Sequence, residues 1–328
     1  MRVPVDGFTL VLLGTIGLAT ILPAEGGFAE QLSFTGSGAV ALLFFLHGAA
    51  LSRKQVLAGA GHWKLHLIIT TMTFVVFPLL VWPLSLVPAS WMPEDLVYGF
   101  LYLGVLPSAV SSSIAFTAMA RGNVPAAVCS AAASNVFGMM LTPFLLMLLV
   151  NMAGDGFAAG SALKDIILQL LLPFFAGHAL RPWLARLMDR HKALLGRYDQ
   201  GVIVLIVYSA FSHSVVSGLW ESLPIASVVL AIALCFALLF LVILIGRLAA
   251  MNLGLDAADE AAVVFCGSKK SLASGLPMAK VLFAGHPGFG AIVLPIMCYN
   301  QIQIIVGAIL ARQYQARISE APTRPQTL

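Results

Sequence analysis

The residues best placed to do chemistry are Lys269 and Lys270, adjacent in the middle of an otherwise apolar stretch from Asp259 to Lys280. A charge at the centre of a bilayer costs roughly 2.5–3.5 kcal/mol even on the lenient insertion scale, so neither lysine is expected to face lipid. All fourteen carboxylates fall in loops, tails or span ends. Glu260 is the nearest on the same stretch, and nine residues of unbroken helix put it roughly 13 Å from Lys269, too far for a local pair. Gly267, Gly275 and Pro277 weaken the helix at the same depth, which a membrane tolerates only where freed backbone lines a cavity. Together these residues predict a broken helix that presents fixed positive charge, reinforced by a half-helix N-terminus, to an anion.

A second polar cluster follows Pro107 in the segment Leu106–Ser113, where Ser111, Ser112 and Ser113 stand near the middle of another apolar span. With Ser268 and Ser271 they form the candidate binding hydroxyls, since two helix breaks need partners for their backbone. Asn135, Asn300 and Gln301 are added as candidate ligands, with Gln303 close by. His47 and His213 are candidate proton relays. Each has a plainer reading as glue between helices. Thr70, Thr71 and Thr73 read only as packing or back-bonding residues.

The elements that must position these groups are membrane spans. The 328 residues are 60% hydrophobic and 10% charged, with mean hydropathy +0.96, whereas a soluble domain carries about 25% charged residues. Apolar windows fall at about 7–22, 36–51, 65–86, 96–119, 124–150, 162–180, 201–219, 225–246, 259–284 and 290–311. With an inside N-terminus, fourteen of the eighteen Lys and Arg residues fall on the inner side and only Lys164 and Lys280 on the outer, the asymmetry that sets orientation. The reading is therefore a multi-pass protein of the cell membrane, in bacteria the inner membrane, with both termini cytoplasmic. Trp63, Trp82, Trp91, Trp183 and Trp220 fall near span ends. The net charge of +4 reads as topology rather than as a nucleic-acid surface, and the four cysteines, without CxxC spacing, as inert apolar residues. No metal site is expected.

The fold expected is an all-α polytopic domain over 1–328, with ten spans in two inverted five-span repeats, about 1–152 and about 160–312. The outside loop near Gly154 to Gly160 separates them, a basic cytoplasmic loop covers about 181–200, and residues 313–328 form a short tail. The fourth span of each half carries a break, the fifth carries amides (Ser134-Asn135 and Asn300 to Gln303), and the second carries a histidine. Interrupted spans in corresponding positions point to a secondary transporter.

Two runs resemble a known family. Ala120-Arg-Gly-Asn-Val124, and more specifically the run from Phe265 to Phe283 (Phe-Cys-Gly-Ser-Lys-Lys-Ser-Leu-Ala-Ser-Gly-Leu-Pro-Met-Ala-Lys-Val-Leu-Phe), are similar to the bile acid:sodium symporter superfamily, solute carrier family 10, in its SBF-like branch. The resemblance implies crossing broken fourth and ninth helices, a core of spans 3–5 and 8–10, and a panel of spans 1, 2, 6 and 7. It also marks departures. Where sodium-coupled members hold an acid, a glutamine and an asparagine in the ninth helix, this chain reads approximately Phe265, Lys269 and Lys270. The serine–asparagine pair becomes Ser113-Ile114, the fifth-helix hydroxyls become Ala127 and Ala131, and the third-helix glutamine becomes Thr73 before Pro78.

The function expected is a secondary carrier of a small organic anion by alternating access, with sodium coupling altered or absent and proton coupling open. A cation/proton antiporter would need carboxylates at the breaks, and none is present. An intramembrane serine hydrolase lacks GxSxG. A membrane regulator of calcium handling is the remaining alternative, and no enzyme activity is expected.

Overall fold

The computed structural model describes residues 7–50, 62–152, 167–218 and 223–320. Arg53, Lys54, Lys164, Trp220 and the loop near Gly154 to Gly160 lie outside them. Within them the chain is helical, with no strand beyond one isolated bridge between Ser108 and Lys270. In chain order the helices are α1 Gly7–Ile21, α2 Gly26–Ala50, α3 Trp63–Leu86, α4 Glu94–Val105, α5 Val110–Met119, α6 Val124–Met152, α7 Leu172–Arg190, α8 Lys192–Val216, α9 Ile225–Asn252, α10 Ala257–Ser268, α11 Leu272–Leu282 and α12 Phe289–Glu320. Six (α2, α3, α6, α8, α9 and α12) are long and apolar enough to cross a membrane, and shorter apolar helices accompany them. The surface matches: Ile225, Phe34, Phe240 and Ile309 are exposed by more than half, as lipid-facing side chains are.

The packing separates into two groups. One is α1, α2, α7 and α8; the other is α3 to α6 with α9 to α12, and across the cleft between them α11 touches α2 and α8 and α12 touches α8. In the first group α2 and α7 approach until their backbones meet. A Cβ at Gly48 would overlap the Phe174 carbonyl, and one at Gly177 would overlap the Phe45 carbonyl. Small residues are what allow helices in lipid to come so close.

Several boundaries differ from the sequence reading. The stretch about 181–200 is not a loop, because α7 and α8 continue through it and meet at His191. Their polar turns extend beyond the apolar windows, a continuation that hydropathy does not register. The second span begins at Gly26 rather than 36, and the last helix runs to Glu320 rather than giving way to a tail at 313. Asp256 caps α10 by accepting from the Asp259 amide at 2.8 Å, which fixes that start.

Candidate functional site

The two short pairs, α4/α5 and α10/α11, are helices interrupted at 106–109 and at 269–271. The interruptions lie against each other. Ala109 N donates to Lys269 O at 3.3 Å and Ser271 N donates to Pro107 O at 3.0 Å, one antiparallel step centred on Ser108 and Lys270. A buried break must pair every freed N–H and C=O. Ser134 Oγ accepts from Ser108 N at 3.0 Å, and Asn135 Nδ2 donates to Ser108 O at 2.9 Å. On the other side Gln303 does both tasks, accepting from Lys270 N at 2.8 Å and donating to Lys270 O at 2.9 Å. The open carbonyls at the end of α10 receive Ser113 Oγ at Phe265 O, Ser108 Oγ at Cys266 O and Tyr299 OH at Ser268 O.

The Lys270 ammonium completes this accounting. Its Nζ donates to Thr73 O at 3.0 Å, Gly104 O at 2.8 Å and Leu106 O at 2.7 Å, under the Phe77 ring at 3.9 Å. Each carbonyl is open for a local reason. α3 passes through a π-helical turn, Met72–Val76, where Phe77 N bonds Met72 O. In that register the Thr73 carbonyl falls to Pro78, which has no N–H. Gly104 would bond Ser108 N, but Ser134 takes that group. Leu106 lies past the end of α4, in extended backbone before Pro107. Three N–H donors meet three acceptors. Lys269 turns the other way, donating to Gln303 O at 2.8 Å with its Nζ 4.2 Å above the Phe116 ring.

Both lysines are buried, and no carboxylate among the described residues bonds either. Glu260 does fold inward, but Arg247 and Arg317 hold it at 3.2 and 2.9 Å and Tyr314 donates to it.

A cavity of about 480 Å³ opens beside the crossing, and neither lysine lines it. Its wall includes the first turns of α5 (Val110, Ser111, Ser112) and of α11 (Leu272, Ala273, Ser274), with Asn135 and Asn300 between them. A helix start leaves amides unbonded and carries partial positive charge, so two such ends aimed at one space suit an anionic group. Ser271 caps α11 by accepting from Ser274 N, while the buried Ser274 hydroxyl has no protein partner although its residue lines the cavity. The opposite wall, on α2 and α8, carries His47 and Asp199 paired at 3.2 Å.

The structure thus brings Ser111, Ser112, Ser271, Asn135, Asn300 and His47 to one cavity. Ser113 and Ser268 spend their hydroxyls on Phe265 O and Val264 O, and Gln301 does not line it. His213 lines a second cavity. Pro107 lies in the first break, whereas Gly267, Gly275 and Pro277 lie in the helices flanking the second. Gly275 instead leaves room for Leu106 and Ile296. What ends α10 is the pairing of Lys269 to Ser271 with the other break, a tertiary cause invisible in local sequence. Sequence reasoning missed Ser274, Ser108 and Asp199; the spacing Ser271-x-x-Ser274 was the one available signal, a cap followed by a hydroxyl in the first turn.

Two interrupted helices crossed inside a multi-pass bundle, with a cavity at their ends, are the architecture of membrane transporters. The chain belongs to the SBF-like CPA transporter family, whose model matches residues 6–316. It is 46% identical to "Uncharacterized protein PA2026" of Pseudomonas aeruginosa, over 97% of this chain and 98% of that one. It is 44% identical to "Putative symporter YfeH" of Escherichia coli K12, over 98% and 96%. Rat "Sodium/bile acid cotransporter 7" is 29% identical over 94% and 92%.

Proposed function

We propose that the protein is a secondary active transporter that carries a small organic anion by alternating access, without a sodium ion at the crossing. The observation that supports it is the convergence of two half-helix N-termini, with the unpartnered Ser274 hydroxyl, on one cavity at the cleft between the two helix groups. An acidic head group bound there accepts from the open amides of α5 and α11 and from Ser274. Asn135 and Asn300 stand beside it. The group containing the crossing then moves against α1, α2, α7 and α8. Ten spans in two inverted repeats, with both termini cytoplasmic, fit the reciprocal clamps at Ser108 and Lys270 and the basic-residue asymmetry.

Lys270 supplies the argument about coupling. Its Nζ occupies the converging carbonyls at the crossing, so the oxygens that could ligate a cation there are already taken. The names of the relatives favour a symporter, and the family name leaves a cation/proton antiporter as the second reading. Against the latter, the charged groups at the crossing are two lysines.

The test is charge movement in proteoliposomes on a solid-supported membrane, in choline buffer free of sodium. Carboxylate and sulfonate pulses are expected to give currents, reduced by Ser274→Trp, which narrows the cavity. Currents that need a sodium gradient would refute the sodium-free mechanism. Silence toward every anion, with a response to proton and metal-cation gradients, would replace the carrier by an antiporter.

A further inference from the structure

The cleft between the two helix groups holds a second cavity, of about 500 Å³, at the other end of the same helices. Along α11 the first cavity touches Ser271 to Ser274 and the second touches Lys280 to Phe283. Along α2 the first touches His47 and Ala50, the second Gly26 to Ser37. Nine residues of helix, roughly 13 Å, separate Ser271 from Lys280.

Among the described residues the first cavity has no lysine or arginine in its wall; the second has Lys280. Its Nζ crosses the cleft from α11 to donate to the carbonyl of Ser33 on α2 at 3.1 Å. Gly36 makes the room, since a Cβ there would overlap the ammonium. The carbonyl it reaches already accepts from Ser37 Oγ at 3.1 Å, and no carboxylate among the described residues lies within salt-bridge distance of the lysine. His213 and His286 also line the space, and His286 faces Asp95 at 3.7 Å. Glu25 lines it too and is exposed. A half-buried ammonium bound to a single shared carbonyl gains when a full negative charge arrives.

We propose that this cavity is a second anion site, in which Lys280 exchanges the Ser33 carbonyl for the carboxylate or sulfonate head of an organic anion. That the occupant is a transported anion rests on the function proposed above; the site itself rests on Lys280. It gives the pathway a charged station at the opposite end from the half-helix N-termini.

Reporter cysteines separate the two cavities. Ser209→Cys stands in the second and Ser112→Cys in the first. Each is modified, in the full chain in nanodiscs, by anionic sulfonatoethyl methanethiosulfonate and by neutral methyl methanethiosulfonate. Field focusing in such a cleft raises local anion concentration by about tenfold or more. Lys280→Gln is therefore expected to lower the anionic-to-neutral rate ratio of the Ser209→Cys reporter about tenfold, and Lys280→Arg to preserve it. The ratio of the Ser112→Cys reporter is expected to be unmoved by either change. Benzenesulfonate is expected to slow the neutral reagent at the Ser209→Cys thiol when Lys280 is present, and methyl phenyl sulfone is not. An unchanged ratio in Lys280→Gln, or no protection by benzenesulfonate, overturns the proposal. A ratio for Ser112→Cys equal to that of a free thiol counts against the substrate reading of the first cavity while leaving this one standing.

Discussion

Ser108 and Lys270 lie antiparallel at the crossing, and each has both of its main-chain groups held by the helix that follows its own interrupted pair. On the first side the work is divided between Ser134 and Asn135; on the second Gln303 does it alone. The two clamps are thus alike in plan and unequal in redundancy. Asn135→Leu strips only the Ser108 carbonyl, whereas Gln303→Leu strips an N–H and a C=O together. Leaving a buried polar group unpaired costs about 1–3 kcal/mol, so Gln303→Leu is expected to lose roughly twice as much stability as Asn135→Leu. Unfolding in a denaturant series in nanodiscs measures both, and equal losses would contradict the one-against-two division.

Lys270 supports a sharper test. Lys270→Ala abandons three carbonyls and is expected to cost several kcal/mol, since each buried acceptor left unpaired costs about 1–3 kcal/mol. The atoms deleted correspond to propylammonium. Millimolar propylammonium should therefore raise the unfolding temperature of Lys270→Ala and leave the parent chain unaffected, while propanol of the same shape without the charge should not. Failure of the amine to rescue would mean that the carbonyls repack rather than wait for a cation.

How much of this was legible beforehand divides by the range of the cause. Pro107 announced the first break because a missing N–H acts within one turn. The second break was expected in the right stretch for the wrong reason: Gly267, Gly275 and Pro277 flank it, and tertiary pairing at Lys269 to Ser271 ends the helix. Lys269 and Lys270 were recognisable as residues that avoid lipid, since the cost of charge in a membrane needs no coordinates. Their partners were not, because the carbonyls of Thr73, Gly104 and Leu106 have no signature in side-chain type. The basic run about 181–200 read as a loop since hydropathy reports where lipid ends, and α7 and α8 continue beyond that point. Among the serines, sequence could not tell Ser111 and Ser112, which line the cavity, from Ser113, which points into protein.

The glycines of the first helix group give a local contrast. Gly48→Ala or Gly177→Ala would push a methyl group into the facing carbonyl and drive α2 from α7, for a cost of about 1–3 kcal/mol of the kind seen on overpacking. Gly38, on the same helix as Gly48, has open space where a Cβ would go. Gly38→Ala is expected to be neutral or to gain up to about 1 kcal/mol in helix propensity. Thermal unfolding of the three variants side by side decides, and a loss in Gly38→Ala as large as in Gly48→Ala would deny the close approach.

The division among the adjacent serines can be read chemically. Ser112 lines the cavity, and Ser113 beside it is fully buried, donating to Phe265 O at 3.0 Å. A cysteine at 112 is therefore expected to react with a water-soluble thiol reagent at least about a hundredfold faster than one at 113, since reaction at 113 waits for local opening of a well-packed crossing. Ser274→Cys should react with the fast class although it is nearly as buried, because its residue lines the cavity and its hydroxyl is not tied to a carbonyl. Bulky modification at 112 or 274 is then expected to abolish anion currents, whereas Ser113→Cys retains them to the extent that it folds. Fast modification at 113, or currents that survive modification at both 112 and 274, would place the anion somewhere other than the mouth of the two half-helices.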